Sequence, residues 1–140
     1  MHVFRSRCAD RGLSLTHQRW VIYRILVGTD RHPNPESIYE EVRQEIPSIS
    51  LSTIYKNIRT FLDAGLLREV STPLQTMRLD ANLDPHHHLV CRGCGTILDL
   101  PGESLAKFQT KKPLPKGFRV ESYTASFLGV CGQCKTKVQA

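Results

Sequence analysis

The sequence predicts an α+β chain in two parts: a helical front half closed by a hairpin, and a short strand-rich back half expected to depend on a metal, a partner subunit or both. Three observations carry this. Capped segments with apolar residues at helical spacing occupy residues 16 to 64; β-type runs broken by Gly and Pro occupy most of the chain beyond Asp80; and two C-x-x-C pairs, Cys91/Cys94 and Cys131/Cys134, lie in that second part.

Thr16 is a good N-cap before Trp20, Val21, Ile22, Ile25 and Leu26, and Gly28 suits the stop. A second helix starts at Asn34-Pro35, a capping residue with proline in the first turn, carries Ile38, Tyr39, Val42 and Ile46 on one side, and ends by Pro47. The third runs from Leu51 to Ala64 between Ser50 and Gly65. With Ile54 at the centre of its apolar face, Leu51, Ile58, Phe61 and Leu62 fall beside it, and Ser52, Thr53, Lys56, Arg59 and Thr60 lie opposite. The run LLREVSTPLQTMRLD then reads as a hairpin turning at Thr72-Pro73-Leu74. Three helices followed by a hairpin is the order of a winged helix-turn-helix, so residues 1–80 are expected to form that domain and 81–140 a second one.

In the second domain HHHLV, TILDL and FRVESYTASFLGV read as strands, with a short helical stretch near Glu103 to Gln109. So few residues bury little core, and the domain is expected to depend on a metal, a partner subunit or both. ANLDP is a candidate hinge between the halves.

Composition narrows the function classes. The chain has 140 residues, 40% hydrophobic and 23% charged, and no apolar run approaches the roughly 18 residues a membrane span needs. The opening MHVFRSRCADRG has no apolar core of a leader peptide, so a cytoplasmic protein without a membrane partner is expected. Nineteen Lys and Arg against 13 Asp and Glu give a formal charge of +6, which points weakly to a polyanion such as nucleic acid.

In a reducing compartment the five cysteines read as ligands rather than disulfides. Cys91, Cys94, Cys131 and Cys134 form C-x-x-C, a 36-residue gap and C-x-x-C, the donor set of a closed structural Zn²⁺ site, with Gly93, Gly95 and Gly132 expected to relieve crowding. Filling it lowers the formal charge from +6 to about +4. Cys8 stands apart and reads as a small apolar residue. Side chains alternate along a strand, so His86 and His88 share one face and His87 takes the other. H-x-H on one face is a natural pair of imidazole ligands, as against a solvated histidine cluster. Asp99, an acid in the apolar run TILDL, and Asp80 are candidate carboxylate partners, as against ordinary surface acids. Nitrogen and oxygen donors suit Fe²⁺ or Mn²⁺, and would also take Zn²⁺.

This constellation resembles the ferric uptake regulator family along nearly the whole chain. The matching segments are THQR (16–19), HPNPESIY (32–39), SLSTIYKNIRTFLDAGLL (50–67), RLD (78–80), HHHLVCRGCG (86–95) and GVCGQC (129–134). The resemblance implies an N-terminal winged helix, a small C-terminal α/β dimerisation domain, and a homodimeric, metal-dependent repressor of palindromic operator DNA that is not an enzyme. It also implies that the regulatory metal takes His32, Asp80, His86, His88 and Asp99, the donor pattern of the peroxide-sensing branch. Iron-uptake members usually carry Glu at the position of Asp80, and zinc-uptake members place a thiolate in the sensing site. Ser122 and Ser126 stand where some iron-uptake members hold a further metal, so no third site is expected.

An ion on those five residues would tie the two halves together and set the spacing of paired recognition helices, which must match major-groove turns about 34 Å apart. For DNA contact the sequence nominates Thr53, Tyr55, Asn57, Lys56 and Arg59 on the third helix, with Arg19 and Ser52 on the backbone. With Fe²⁺, the resemblance to the peroxide-sensing branch implies that peroxide chemistry beside His32 and His86 yields 2-oxo-histidine and releases repression. The alternatives are a sensor of iron or manganese level without histidine oxidation and, in another class, a small non-haem metalloenzyme.

Overall fold

The first of two units, Met1–Leu83, opens with a helix that its own sequence does not announce, α1 (His2–Ala9). This is a computed structural model describing residues 2–107 and 109–138. The helix has no acidic residue in its first turn and only Phe4 and Cys8, one turn apart, are buried. Tertiary packing stabilises it: the Phe4 ring stacks on Tyr23 at 4.4 Å and meets Phe61 edge-on at 6.1 Å. The expected three helices are therefore four. Cys8 sits in the same core.

The next three helices begin where side-chain caps start them. Thr16, Asn34 and Ser50 lie in extended backbone and accept from the N–H of Arg19 at 3.2 Å, Ser37 at 2.8 Å and Thr53 at 3.2 Å. They open α2 (His17–Val27), α3 (Pro35–Glu45) and α4 (Leu51–Asp63). Gly65, at φ +64°, turns the chain out of α4 in a conformation L-residues avoid. Val21, Ile22, Leu26, Ile38, Ile54 and Phe61 meet in the core. Leu51, placed by spacing on the core side, is instead exposed in the first turn of α4, and Leu62 is half-buried.

The hairpin pairs β1 (Arg68–Glu69) with β2 (Leu79–Asp80) in antiparallel register, Arg68 opposite Asp80, with one further bond from Val70 N–H to the Arg78 carbonyl at 2.9 Å. The ladder is shorter than LLREVSTPLQTMRLD suggests. Pro73 has no N–H to give it, and the Thr72 hydroxyl takes the N–H of Leu74 at 3.0 Å, bending the chain out of the sheet.

The second unit, Asp84–Ala140, is built on one central strand. β3 (His86–Cys91) pairs antiparallel with β4 (Ile97–Pro101) and parallel with β5 (Ser126–Gly129), giving the order β4-β3-β5. α5 (Gly132–Val138) follows, a helix the sequence reading did not anticipate. The strand expected from Phe118 is ladder-paired only over Ser126–Gly129. Ahead of it Phe118 and Val120 are exposed, and no described strand lies beside them to complete a ladder. Of the helix expected near Glu103 to Gln109, a 3₁₀ turn at Gly102–Ser104 is observed; Phe108 lies outside the described residues.

Truncating Phe61, fully buried among aromatic partners, is expected to cost about 3–5 kcal/mol of unfolding free energy in Phe61→Ala. Removing the α4 cap in Ser50→Ala should cost about 1 kcal/mol. Urea titration followed by Trp20 fluorescence measures both, and equal losses would show that the aromatic cluster carries no special weight.

Candidate metal centres and nucleic-acid interface

The four cysteines of the C-x-x-C pairs come together at one end of the β3–β5 ladder. β3 ends in Cys91, and the turn after it delivers Cys94; Cys131 follows β5, and Cys134 lies one helical turn further on in α5. The parallel register puts Cys91 opposite Gly129, so the 36-residue gap in sequence becomes a short step across the sheet. The four sulfurs lie within 4.8 Å of one another, and the Cys94 and Cys131 Sγ atoms are 3.7 Å apart. Four thiolates about 2.3 Å from a tetrahedral Zn²⁺ stand at about 3.8 Å, so the cage fits that ion.

The two turns use glycine differently. A Cβ on Gly93 would lie 3.1 Å from Cys134 Sγ and 3.3 Å from its Cβ, so the knuckle needs a bare backbone there; Gly95, at φ +73°, closes the same turn. Gly132 departs from expectation. A Cβ there meets nothing within 4 Å, because the residue has already entered α5 and faces outward.

A second cluster lies on the face of the sheet that carries His86 and His88. Their Nε2 atoms are 3.0 Å apart. Antiparallel register sets Asp99 of β4 opposite His88, and its Oδ1 lies 3.5 Å from His86 Nε2 and 3.8 Å from His88 Nε2. His86 Nδ1 is 2.8 Å from the Asp84 carbonyl oxygen. That oxygen only accepts, so the ring proton sits on Nδ1 and the Nε2 lone pair faces the cluster, the orientation a metal ligand needs. Both imidazoles are buried and Asp99 is 37% exposed. Two imidazoles and a carboxylate converging with no thiolate among them fit a divalent first-row cation.

His87 faces the other way. Its Nδ1 accepts from the Ala125 N–H at 3.1 Å and its ring stacks on Tyr123 at 5.2 Å, so it braces the sheet. In the first unit His32 and Asp80 form a further buried pair, 3% and 6% exposed, with donor atoms within 4.8 Å of each other. His32 sits in the turn before α3 and Asp80 ends β2, where its Oδ1 accepts from the Asn82 N–H at 2.7 Å.

On α4 the nominated contact residues divide. Ser52, Tyr55, Lys56 and Arg59 are exposed and Thr53 is half-buried. Arg59 pairs with Asp63 at 3.1 Å, and the Tyr55 hydroxyl donates to Glu36 at 2.5 Å. Asn57 is not on that face. It follows Ile54 by three and precedes Phe61 by four, which places it on the buried stripe, where its amide donates to the Thr53 carbonyl at 2.8 Å. Its Oδ1 accepts from Arg19 Nε at 3.3 Å, while Arg19 Nη1 donates to the carbonyl and hydroxyl of Ser14, both at 2.7 Å. Asn57 is therefore turned to Arg19 and to the helix backbone, away from the face that carries Ser52, Tyr55, Lys56 and Arg59. The helical period contained this signal, and the polar character of asparagine obscured it.

Comparison with known proteins decides the family, because residues 10–127 match the model of the ferric uptake regulator family. The chain belongs to the ferric uptake regulator family. It is 32% identical over 126 residues to the peroxide-responsive repressor PerR of Staphylococcus aureus, covering 90% of this chain and 85% of that one. Among solved structures it resembles the Campylobacter jejuni peroxide stress regulator (29% identity, TM-score 0.71, covering 95% and 97% of the two chains). It also resembles a zinc-bound manganese uptake regulator (26%, TM-score 0.67, covering 91% and 97%). Membership makes this chain a metal-sensing transcriptional regulator and removes the metalloenzyme alternative.

In this family member the cysteine cage has a marked asymmetry. The backbone N–H of Cys131, 3.3 Å from Cys91 Sγ, and that of Cys94 pull the Cys91 thiol down to about 6. The Cys134 thiol is pushed up to about 12 by the sulfurs it shares the site with, Cys131 first. Metal uptake at neutral pH therefore displaces the Cys134 proton, whereas Cys91 is already a thiolate above pH 6. Each displaced proton raises affinity about tenfold per pH unit, so competition with a chromophoric chelator should show zinc binding at least about tenfold tighter at pH 8 than at pH 7. A pH-independent affinity would show that no proton leaves. Cys134→Ser should release zinc and lower the melting temperature of the protein.

Proposed function

We propose that this chain is a homodimeric repressor of palindromic operator DNA that senses peroxide through Fe²⁺ held by His32, Asp80, His86, His88 and Asp99. The observation that carries the reading is the convergence of His86, His88 and Asp99 without any sulfur donor, in a chain whose relatives include peroxide-responsive repressors. Carboxylate and imidazole donors keep Fe²⁺ reactive toward peroxide, and a thiolate in the set would be oxidised first. Fe²⁺ held by these residues would supply the electron that starts cleavage of the peroxide O–O bond. The chain holds two imidazoles, His32 and His86, whose ring carbon between the nitrogens would take one peroxide oxygen in place of its hydrogen while the other oxygen leaves as water, and the resulting 2-oxo-histidine is a poorer ligand.

Residues 1–80 serve as the winged-helix DNA-binding part in this reading. Ser52, Thr53, Tyr55, Lys56 and Arg59 of α4, with Arg19, face the duplex, and residues 81–140 dimerise and bind metal. Dimerisation through the second unit is supported by Leu89, Leu98, Phe127, Leu128 and Val130, apolar residues exposed around the β4-β3-β5 sheet. The cysteine cage takes structural Zn²⁺, and the cytoplasm is the compartment in which its thiolates stay reduced. Metal occupancy selects the DNA-competent dimer with a coupling of about 1–3 kcal/mol, as is usual for allosteric proteins.

Intact mass and peptide mapping after hydrogen peroxide treatment test the sensing step. The Fe²⁺ form should gain one oxygen on His32 or His86 and lose its metal-dependent gel shift of a palindromic duplex; the Mn²⁺ form should gain none and keep it. Equal oxidation in both forms, or none in the iron form, would leave a sensor of metal level. Lys56→Ala should weaken operator binding by about 1–3 kcal/mol and relax specificity at one position if it reads a base, and should weaken binding evenly across sequences while lowering the salt slope by about one if it touches phosphate.

A further inference from the structure

The turn that carries His32 is shaped by a side chain that the metal chemistry does not use. His32 has φ +51°, one of two left-handed non-glycine residues among those described. It also precedes Pro33, whose ring narrows the backbone choices of the residue before it. Left-handed backbone is uncommon for any residue but glycine, histidine included, and a following proline restricts it further, so contacts from elsewhere hold it.

Those contacts come from residues 78 and 79. Arg78 Nε donates to the His32 carbonyl, Arg78 Nη2 donates to the Arg31 carbonyl at 2.9 Å, and the Leu79 N–H donates to the Pro33 carbonyl at 2.9 Å. Three consecutive carbonyls are thus bound by two consecutive residues, and the next residue along is Asp80. The guanidinium suits the task because its donors sit in a rigid planar fork that spans neighbouring acceptors, which an ammonium group cannot do.

We propose that Arg78 is a positioning residue for the regulatory metal: its fork holds the His32 backbone left-handed and sets the imidazole against the Asp80 carboxylate. The inference rests on the five-ligand reading above. It makes a prediction opposite in sign to simple electrostatics. A cation beside a cation site repels it, so a charge effect alone predicts tighter metal binding once Arg78 is removed. Loss of positioning predicts weaker binding.

The test uses full-length protein with its cysteine site loaded with zinc, titrated with Mn²⁺ by calorimetry. R78A removes charge and fork; R78K keeps the charge and loses the fork. Both should weaken Mn²⁺ binding, R78A by about 10- to 100-fold, as for other residues that orient ligands. The NMR Cα shift of residue 32 should leave the left-handed range in both, with the amide spectrum of α2 and α4 unchanged. Tighter binding in R78A, or wild-type affinity in folded R78K, overturns the assignment; if R78A does not fold, R78K alone decides. H32A separates the two proposals. Unchanged Mn²⁺ affinity in H32A removes the five-ligand site itself, whereas weakened H32A beside wild-type R78K removes only the role of Arg78.

Discussion

The two-residue period of β3 is the constraint on which the chemistry of the second unit depends. Hydrogen-bonded on both sides, this strand cannot slip by one residue without exchanging its faces. In the register observed, His86 and His88 turn to Asp99, His87 turns to Ala125 and Tyr123, and Cys91 ends the strand where Cys131 meets it. Two donor sets of different chemistry are thereby kept apart: sulfur at the strand end, nitrogen and oxygen on one face. A slip would scramble both.

Such a unit has little else to hold it. Val90, Cys91 and Ile97 are its buried hydrophobic residues among those described, beside three buried histidines. Sheets this small are marginal without a staple. A zinc ion on the four cysteines would act as one, linking the end of β3 to the segment after β5 and to the first turn of α5. The first unit is the opposite case. Its core is aromatic and aliphatic, and Asn57, buried in this unit as His32 and Asp80 also are, is satisfied by the Thr53 carbonyl and by Arg19. One unit is built on packing and the other leaves its stability to ligation of the cysteine site, as expected when apolar residues are distributed so unevenly.

Much of this was legible from local chemistry. Caps at Thr16, Asn34 and Ser50 depend on a side chain and an N–H three residues away, and C-x-x-C pairs advertise their own geometry. The elements that escaped notice depend on remote partners. α1 exists because Phe4 finds Tyr23 and Phe61. The strand expected from Phe118 shortens because no described strand offers it a ladder. Asn57 lies inside because position outweighs polarity on a helix whose stripe faces the core.

The residue types by themselves narrowed the metals that suit each cluster, because thiolate, imidazole and carboxylate carry their preferences wherever they are placed, and the order of the motifs pointed to the family. Only the tertiary structure decided which donors meet within each unit, that Arg19 is the partner of Asn57 and Ala125 and Tyr123 those of His87, and that Arg78 reaches back to the carbonyls around His32. These depend on contacts between residues tens of positions apart, which hydrophobic packing and strand register create and which no local pattern encodes.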